Sequence, residues 1–282
     1  MAFRIHEWLL TTWGLSIPIP AFFPLLALGF IAGVYVSVRE ARRAGIDAHQ
    51  VLDLFLYAAL GIIVGARLFV VLPRLDYYLA HPKEIFQITE AGLASHGGFL
   101  AGMALITIYA ACRGLPFLAV ADALPAGFGL FLFLARVGCF LEGSSYGVVT
   151  ELPWGVRFPS GSVAYAGLLH ERLVRGGEPL TPPLHPTQLY SAAAGLCLFA
   201  LALWLAPRKR FQGEVAFLGL SFYAATRMGI DTLRGDLGDE TLFFGLLPTT
   251  QLITAALGLA ALLGLGYLSW RFKSAKRVGH LV

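Results

Sequence analysis

Apolar stretches near the roughly 20 residues needed to cross a bilayer recur along the whole chain. Nothing else in the sequence constrains the fold as much. Inside lipid, backbone N–H and C=O groups have no water to bond, and an open sheet edge cannot persist, so the stretches are read as helices. They cover about 19–38, 51–72, 94–112, 116–141, 186–206, 213–233 and 247–271. The expected fold class is therefore an all-α polytopic membrane protein with about seven transmembrane helices. Composition agrees. The 282 residues are 57% hydrophobic and 13% charged, where a soluble domain averages about 25% charged, and mean hydropathy is +0.71. No separate soluble module is visible, so 1–282 reads as a single integral membrane domain. Its longest loop, 142–185, falls between the fourth and fifth spans.

The start, MAFRIHEWLLTTWG, lacks a basic region leading into a clean apolar stretch and a small-residue cleavage site. It is read as an interfacial segment with Trp8 and Trp13 as belt residues. The three cysteines, Cys112, Cys139 and Cys197, share no ligand-type spacing, so neither a disulfide framework nor a metal site is expected, and no cofactor is implied. Positive charge sets the orientation. Arg39, Arg42 and Arg43, Arg113, Arg208, Lys209 and Arg210, and Arg271, Lys273, Lys276 and Arg277 all fall on one side of the expected spans, against Arg74, Lys83 and Arg234 opposite. The positive-inside rule then puts the N-terminus outside and the C-terminus in the cytoplasm. The net charge of +4 follows from that topology, and no nucleic-acid footprint is present.

Four polar residues stand against this pattern. At 1.5 Å per residue, Arg136 in LARVGCFLEGSSYG lies roughly 30 Å along span four, Arg67 about 24 Å along span two and Arg227 about 21 Å along span six. His96, in LASHGGFLAG, opens span three at the same face. Three arginines and a histidine thus gather at the outer ends of their helices. Snorkelling to lipid phosphates accounts for Arg67 or Arg136 alone. Arg227 lies deeper, where an arginine costs about 2.5–3.5 kcal/mol on insertion scales, and needs a partner or a water-filled cavity. Asp231, four residues on, can pair with it on one helix face. Tyr223, Arg227, Asp231 and Arg234 fall within about 80° of one another on a helical wheel, forming one inward stripe.

An inward cluster of guanidinium groups calls for an anionic ligand, because arginine donates in a planar, bidentate fork suited to phosphate. In the outer leaflet that ligand is a phospholipid headgroup. His96 adds an acid or base suited to chemistry near neutral pH, and the adjacent Gly97 and Gly98 permit close approach of backbone or ligand. His185, before PTQLY, equally suits the start of span five, where Pro186 fits a first helical turn.

SHGGFLAG, ARVGCFLEGSSYG, WGVRFP, HPTQLYSA, YAATR with DTLRGD, and TTQLITAALG, in that order, resemble the prolipoprotein diacylglyceryl transferase family of the bacterial cytoplasmic membrane. The resemblance covers roughly residues 20–265. It implies seven transmembrane helices, an external N-terminus and a small periplasmic head at 142–185. It also implies an activity: the diacylglyceryl group of phosphatidylglycerol moves to the lipobox cysteine thiol of a prolipoprotein signal peptide, giving a thioether and glycerol phosphate. By position, His96 is the family histidine proposed as base, Arg136 the signature arginine, and Arg227 with Tyr223 the essential pair on span six. The candidate catalytic residues are then His96, Arg227 and Tyr223. The candidate substrate-binding residues are Arg136, with Arg67 and Arg234 in supporting positions, together with Glu142, Gly97, Gly98 and Gly147.

The signature typical of the family, G-R-x-G-N-F-x-N-G-E-x-x-G, is altered here. Ala135 replaces its first glycine, Cys139 and Glu142 stand at the two asparagines, and Ser144 stands at the glutamate. Phe22 falls where a functional tyrosine is usual. These changes keep the arginines, remove amides and move a carboxylate, with Glu142 a candidate replacement. Two other readings follow: a phospholipid-binding paralogue that is non-catalytic or altered in specificity, and an intramembrane serine hydrolase using Ser145 of GSSYG with His96 or His185. The second requires a strand-to-helix nucleophile turn.

Overall fold

The structure, a computed structural model, describes residues 22–86, 95–236, 242–243 and 247–279. It is almost wholly helical: α1 (Phe22–Arg43), α2 (Ala48–Val71), α3 (Leu75–Ala80), α4 (Ser95–Cys112), α5 (Phe117–Glu142), α6 (Val163–His170), α7 (Thr187–Leu205), α8 (Glu214–Asp231) and α9 (Thr249–Gly279). A two-residue antiparallel pair, β1 (Leu242–Phe243) with β2 (Leu247–Pro248), precedes α9. The helices fall close to the expected spans. The main difference is after α2, where the helix tightens through Leu72–Arg74 and resumes as α3. Pro73 in that turn has no N–H to donate, which favours the short tightened turn. The belt residues Trp8 and Trp13 lie outside the described residues.

Among the described residues five helices are long and apolar enough to cross a membrane: α1, α2 continued through α3 (Ala48–Ala80), α5, α7 with the following turn (Thr187–Arg208), and α9 over Thr250–Lys276. That is fewer than the seven expected. The apolar run described in α4 is only Leu100–Cys112, and the 18-residue α8 carries Glu214, Arg227 and Asp231 in an otherwise apolar sequence.

Contacts divide the chain into two compact units, Val38–Val120 and the pair Met1–Ser37 with Ala121–Val282. In the smaller unit α2 begins with Asp47, whose side chain accepts from His49 N, and packs against α4. Tyr109 of α4 donates its hydroxyl to Asp53 Oδ2 of α2 at 2.6 Å, giving that intramembrane carboxylate a partner.

In the larger unit α8 packs against both α7 and α9. Lipid gives helices no hydrophobic reason to associate, so small residues that let backbones touch become the adhesive. At the crossing of α5 and α7, a Cβ on Gly129 would lie 2.5 Å from Phe199 N, and one on Gly195 would lie 2.8 Å from Phe133 N. The segment joining α5 to α7 has its own core, in which Tyr146, Phe158, Tyr165, Leu168, Val174 and Leu184 are buried around α6. Short bridges stitch it together: Gly147 with Arg234, Val149 and Val156 both with Leu184, and Pro159 with Leu180.

Candidate anion-binding cleft

α5 ends at Glu142, and Gly143 follows with φ 81°. Gly143 and Ser144 both donate backbone N–H groups to Cys139 O, at 2.9 and 3.1 Å, which closes the helix in the manner that favours glycine after the last turn. The start of α7 holds the departing strand: Thr187 Oγ1 donates to Ser145 O at 2.7 Å and Gln188 Nε2 to Ser144 O at 2.8 Å. The signature turn is thereby anchored beside the C-terminal ends of α5 and α8.

At this end a small cleft opens between α5, α7 and α8. Leu132 and Arg136 line it from α5, Ser191 and Ala194 from α7, and Tyr223, Thr226, Arg227 and Ile230 from α8. Arg136 and Arg227 therefore meet across one space from separate helices. Arg227 Nε lies 2.9 Å from Asp231 Oδ2, whose side chain is 0% exposed. That contact is a close charge pair without hydrogen-bond alignment, since the oxygen has no hydrogen-bond partner among the described residues. Arg234 spans Asp236 with two bonds of 2.9 Å and reaches Asp231 Oδ1 at 3.4 Å. Burial alone would pull the Arg234 pKa down, but Asp236 and Asp231 outweigh it and the net direction is up. Among the described residues Arg136 has neither an ion pair nor a hydrogen bond, and Arg227 lines the same cleft. Arg227 and Arg234 are matched by Asp231 and Asp236, so Arg136 is the cation lining this cleft whose charge has no partner among the described residues, and an anion there would be favoured.

Of the residues expected from sequence, the structure brings together Arg136, Tyr223 and Arg227 at the cleft, with Arg234 joined through Asp231. Tyr223 is oriented by an edge-on contact with Phe128, ring centres 5.2 Å apart. Gly147 sits behind them. A Cβ there would lie 2.5 Å from His185 Cβ and 2.8 Å from Leu233 O, so close backbone packing accounts for the glycine. Glu142 Oε2 accepts from Ser144 Oγ at 3.1 Å within the turn.

Arg67, Gly98 and His96 belong to the smaller unit. Arg67 donates Nε to Ile85 O at 2.8 Å and a second nitrogen to Glu84 O, over the Tyr78 ring. Its guanidinium ties down the turn after α3. A Cβ on Gly98 would lie 2.8 Å from Ile62 O, so α4 approaches α2 there. His96 and Gly97 are in the first turn of α4, and the His96 side chain lies outside the described residues. The nucleophile turn needed by the hydrolase reading is not formed: Ser145, with φ 55°, follows a helix, and His185 Nδ1 lies 3.3 Å from the Tyr190 hydroxyl.

Sequence reasoning passed over Asp122. Its carboxylate is 3% exposed and receives Lys209 Nζ at 2.9 Å, Gly213 N at 2.9 Å and Ala216 N at 3.0 Å. It thus caps α8 from another helix, where Gly213 offers no side chain. A lone carboxylate in an apolar span was the available signal. The other omission is Gln188, whose buried Oε1 has no partner among the described residues.

This fold and site define a multi-pass helical membrane protein with a cationic cleft at one end of its helices. The chain belongs to the prolipoprotein diacylglyceryl transferase family, whose model matches residues 10–267. Among its relatives are three proteins named phosphatidylglycerol–prolipoprotein diacylglyceryl transferase. The one from Shewanella sp. (strain MR-4) is 34% identical over 240 residues, covering 83% of this chain and 82% of that protein. The one from Geobacter sulfurreducens is 35% identical over 236 residues, covering 80% and 82%. The one from Clostridioides difficile is 29% identical over 250 residues, covering 89% and 91%.

Proposed function

We propose that this chain transfers the diacylglyceryl group of phosphatidylglycerol to the lipobox cysteine thiol of a prolipoprotein. The observation that carries this reading is the meeting of Arg136 and Arg227, from separate helices, in one cleft of a chain whose relatives are named for that transfer. The cysteine sulfur attacks the glycerol carbon that bears the phosphate. A C–S bond forms, the C–O bond breaks, and glycerol phosphate leaves with the electron pair. Arg136 and Arg227 neutralise the charge growing on the departing phosphate. His96 takes the thiol proton, because the thiolate is the nucleophile. Tyr223, one turn before Arg227, orients the same group, and Glu142 and Gly97 shape the approach. Arg234 and Arg67 act as framework, holding Asp231 and the turn after α3.

In this reading α4 and α8 also cross, making seven spans in the bacterial inner membrane, with the N-terminus outside and the C-terminus cytoplasmic. The charge asymmetry of the loops supports that orientation. The segment 142–185 is then a periplasmic head, which its own buried core supports. Purified protein supplied with labelled phosphatidylglycerol and a lipobox peptide tests the activity: thioether product is expected. The altered signature positions Cys139, Glu142 and Ser144 favour one other reading, a paralogue that binds phosphatidylglycerol passively. Saturable lipid binding without product would establish that instead.

A further inference from the structure

We infer that the turn Thr150–Gly155 is a membrane-seating surface that plants Leu152 and Trp154 in the phospholipid interface beside the first turn of α7. The turn is tightly built. Thr150 N donates to Pro183 O at 2.9 Å, Leu152 N to Thr150 Oγ1 at 3.2 Å and Gly155 N to Leu152 O at 2.9 Å. A Cβ on Gly155 would lie 2.9 Å from Pro183 Cβ, so the loop is pressed onto the strand behind it. What it presents outward is apolar: Leu152 is 39% exposed and Trp154 55%, with Glu151 the one charge between Thr150 and Gly155.

The level of Trp154 is set independently of its exposure. Its indole Nε1 donates to the Tyr190 hydroxyl at 2.7 Å. Tyr190 lies in the first turn of α7, a helix long and apolar enough to cross the membrane. The same hydroxyl lies 3.3 Å from His185 Nδ1, which ties the indole and the span to the residue just before α7. A tryptophan held at the end of a span, apolar on one side and hydrogen-bonded on the other, matches the aromatic belt at a bilayer surface. Leu189, beside Tyr190, is also exposed and continues that apolar surface onto the span. The occupant is therefore the phospholipid interface at this end of α7, which seats the segment between α5 and α7 on the membrane surface. The inference rests on α7 crossing the membrane and is independent of the transfer reaction.

The test uses the full chain with Trp8, Trp13, Trp204 and Trp270 replaced by phenylalanine, leaving Trp154 as sole emitter. It is reconstituted in phosphatidylethanolamine–phosphatidylglycerol vesicles carrying a nitroxide near the headgroup or near the chain end. Loss of emission should be greater with the shallow nitroxide than with the deep one, and aqueous acrylamide should quench weakly. Acrylamide quenching like that of free tryptophan, with no loss to either nitroxide, would overturn the inference. A second measurement keeps the native tryptophans and places a benzophenone amino acid at Leu152. Photo-crosslinking to phospholipid in the same vesicles is expected, whereas crosslinking to an added lipobox peptide in place of lipid would overturn the assignment.

Discussion

α5 and α8 run side by side and carry charged groups at both ends, but the two ends are balanced differently. At the Asp122 end, Asp122 receives Lys209 and two backbone N–H groups, and Glu214 receives Arg210 at 2.5–2.8 Å. Two cations meet two anions. At the signature end Arg227 and Arg234 share Asp231, Arg234 also holds Asp236, and Glu142 accepts from a serine hydroxyl. Among the described residues Arg136 and Glu142 are left without an ion pair. A closed set of charges holds helices together, whereas an open set holds a place for a ligand charge. The same residue types thus serve as adhesive at one end and, in the proposed function, as a binding site at the other, according to whether the cations are matched.

Removing Arg227 should break the contrast most severely. Arg227→Ala takes away the proposed phosphate donor, for which a loss of about 10²–10³ in turnover is typical. It also leaves buried Asp231 with only the longer Arg234 contact, a change that costs up to about 3–5 kcal/mol when a buried partner is removed. Product formation and thermal unfolding, measured on the same inserted protein, should both fall. Retention of more than about half the wild-type rate would contradict the catalytic role, since one lost charged donor is worth far more than that. Arg136→Ala separates the two effects. Without an ion pair among the described residues to lose, its melting temperature should hold or rise as like-charge repulsion is relieved. Turnover should fall by about 10–100-fold, the worth of a charged hydrogen bond. A protein that melts early and turns over normally would place Arg136 with the structural charges instead.

The sequence made much of the signature end legible, because a deep arginine in an apolar helix is costly enough to announce itself. Arg227, its i,i+4 carboxylate Asp231 and the place of Arg136 near the C-terminal end of its helix were all readable from spacing. Spacing did not reveal how the cations divide: Arg234 is held by Asp236, two residues on, and Arg67 by main-chain carbonyls eighteen and seventeen residues away. Neither partner follows helical periodicity. Gly98 reads as a place of close approach for backbone or ligand and Gly147 as a substrate-binding candidate, and only the folded chain displays the backbone that each admits. Most helix bounds were legible within about three residues, but α1 continues to Arg43 and α9 to Gly279, through basic sequence beyond the apolar stretches that marked them. The seating of Asp122 against α8 was not legible, because its partners lie 87–94 residues away.

Asp122→Asn tests whether the closed end is only adhesive. An amide keeps one acceptor oxygen but turns an NH₂ toward donors that a carboxylate had satisfied, a mismatch worth about 1–3 kcal/mol. Thermal unfolding in detergent should shift down by a corresponding amount, with turnover per folded molecule close to wild type. Collapse of turnover with unchanged melting would mean that the Asp122 end governs the cleft, and the division between the two ends would fail.

The smallest effect is expected from Arg210→Ala. The Arg210 side chain is 62% exposed, and its pKa is raised by its hydrogen bond and charge contact with Glu214. Solvent screens such a pair, and added salt screens it further. Glu214 also keeps the backbone N–H of residue 210, which the substitution does not remove. The variant should therefore melt slightly earlier in low salt and match the wild type in high salt, with product formation unaltered. A deficit that persists in high salt would show that Arg210 is part of the buried clamp, not an exposed partner at its rim. The closed end would then depend on both of its cations, and the contrast with the unmatched Arg136 would become sharper.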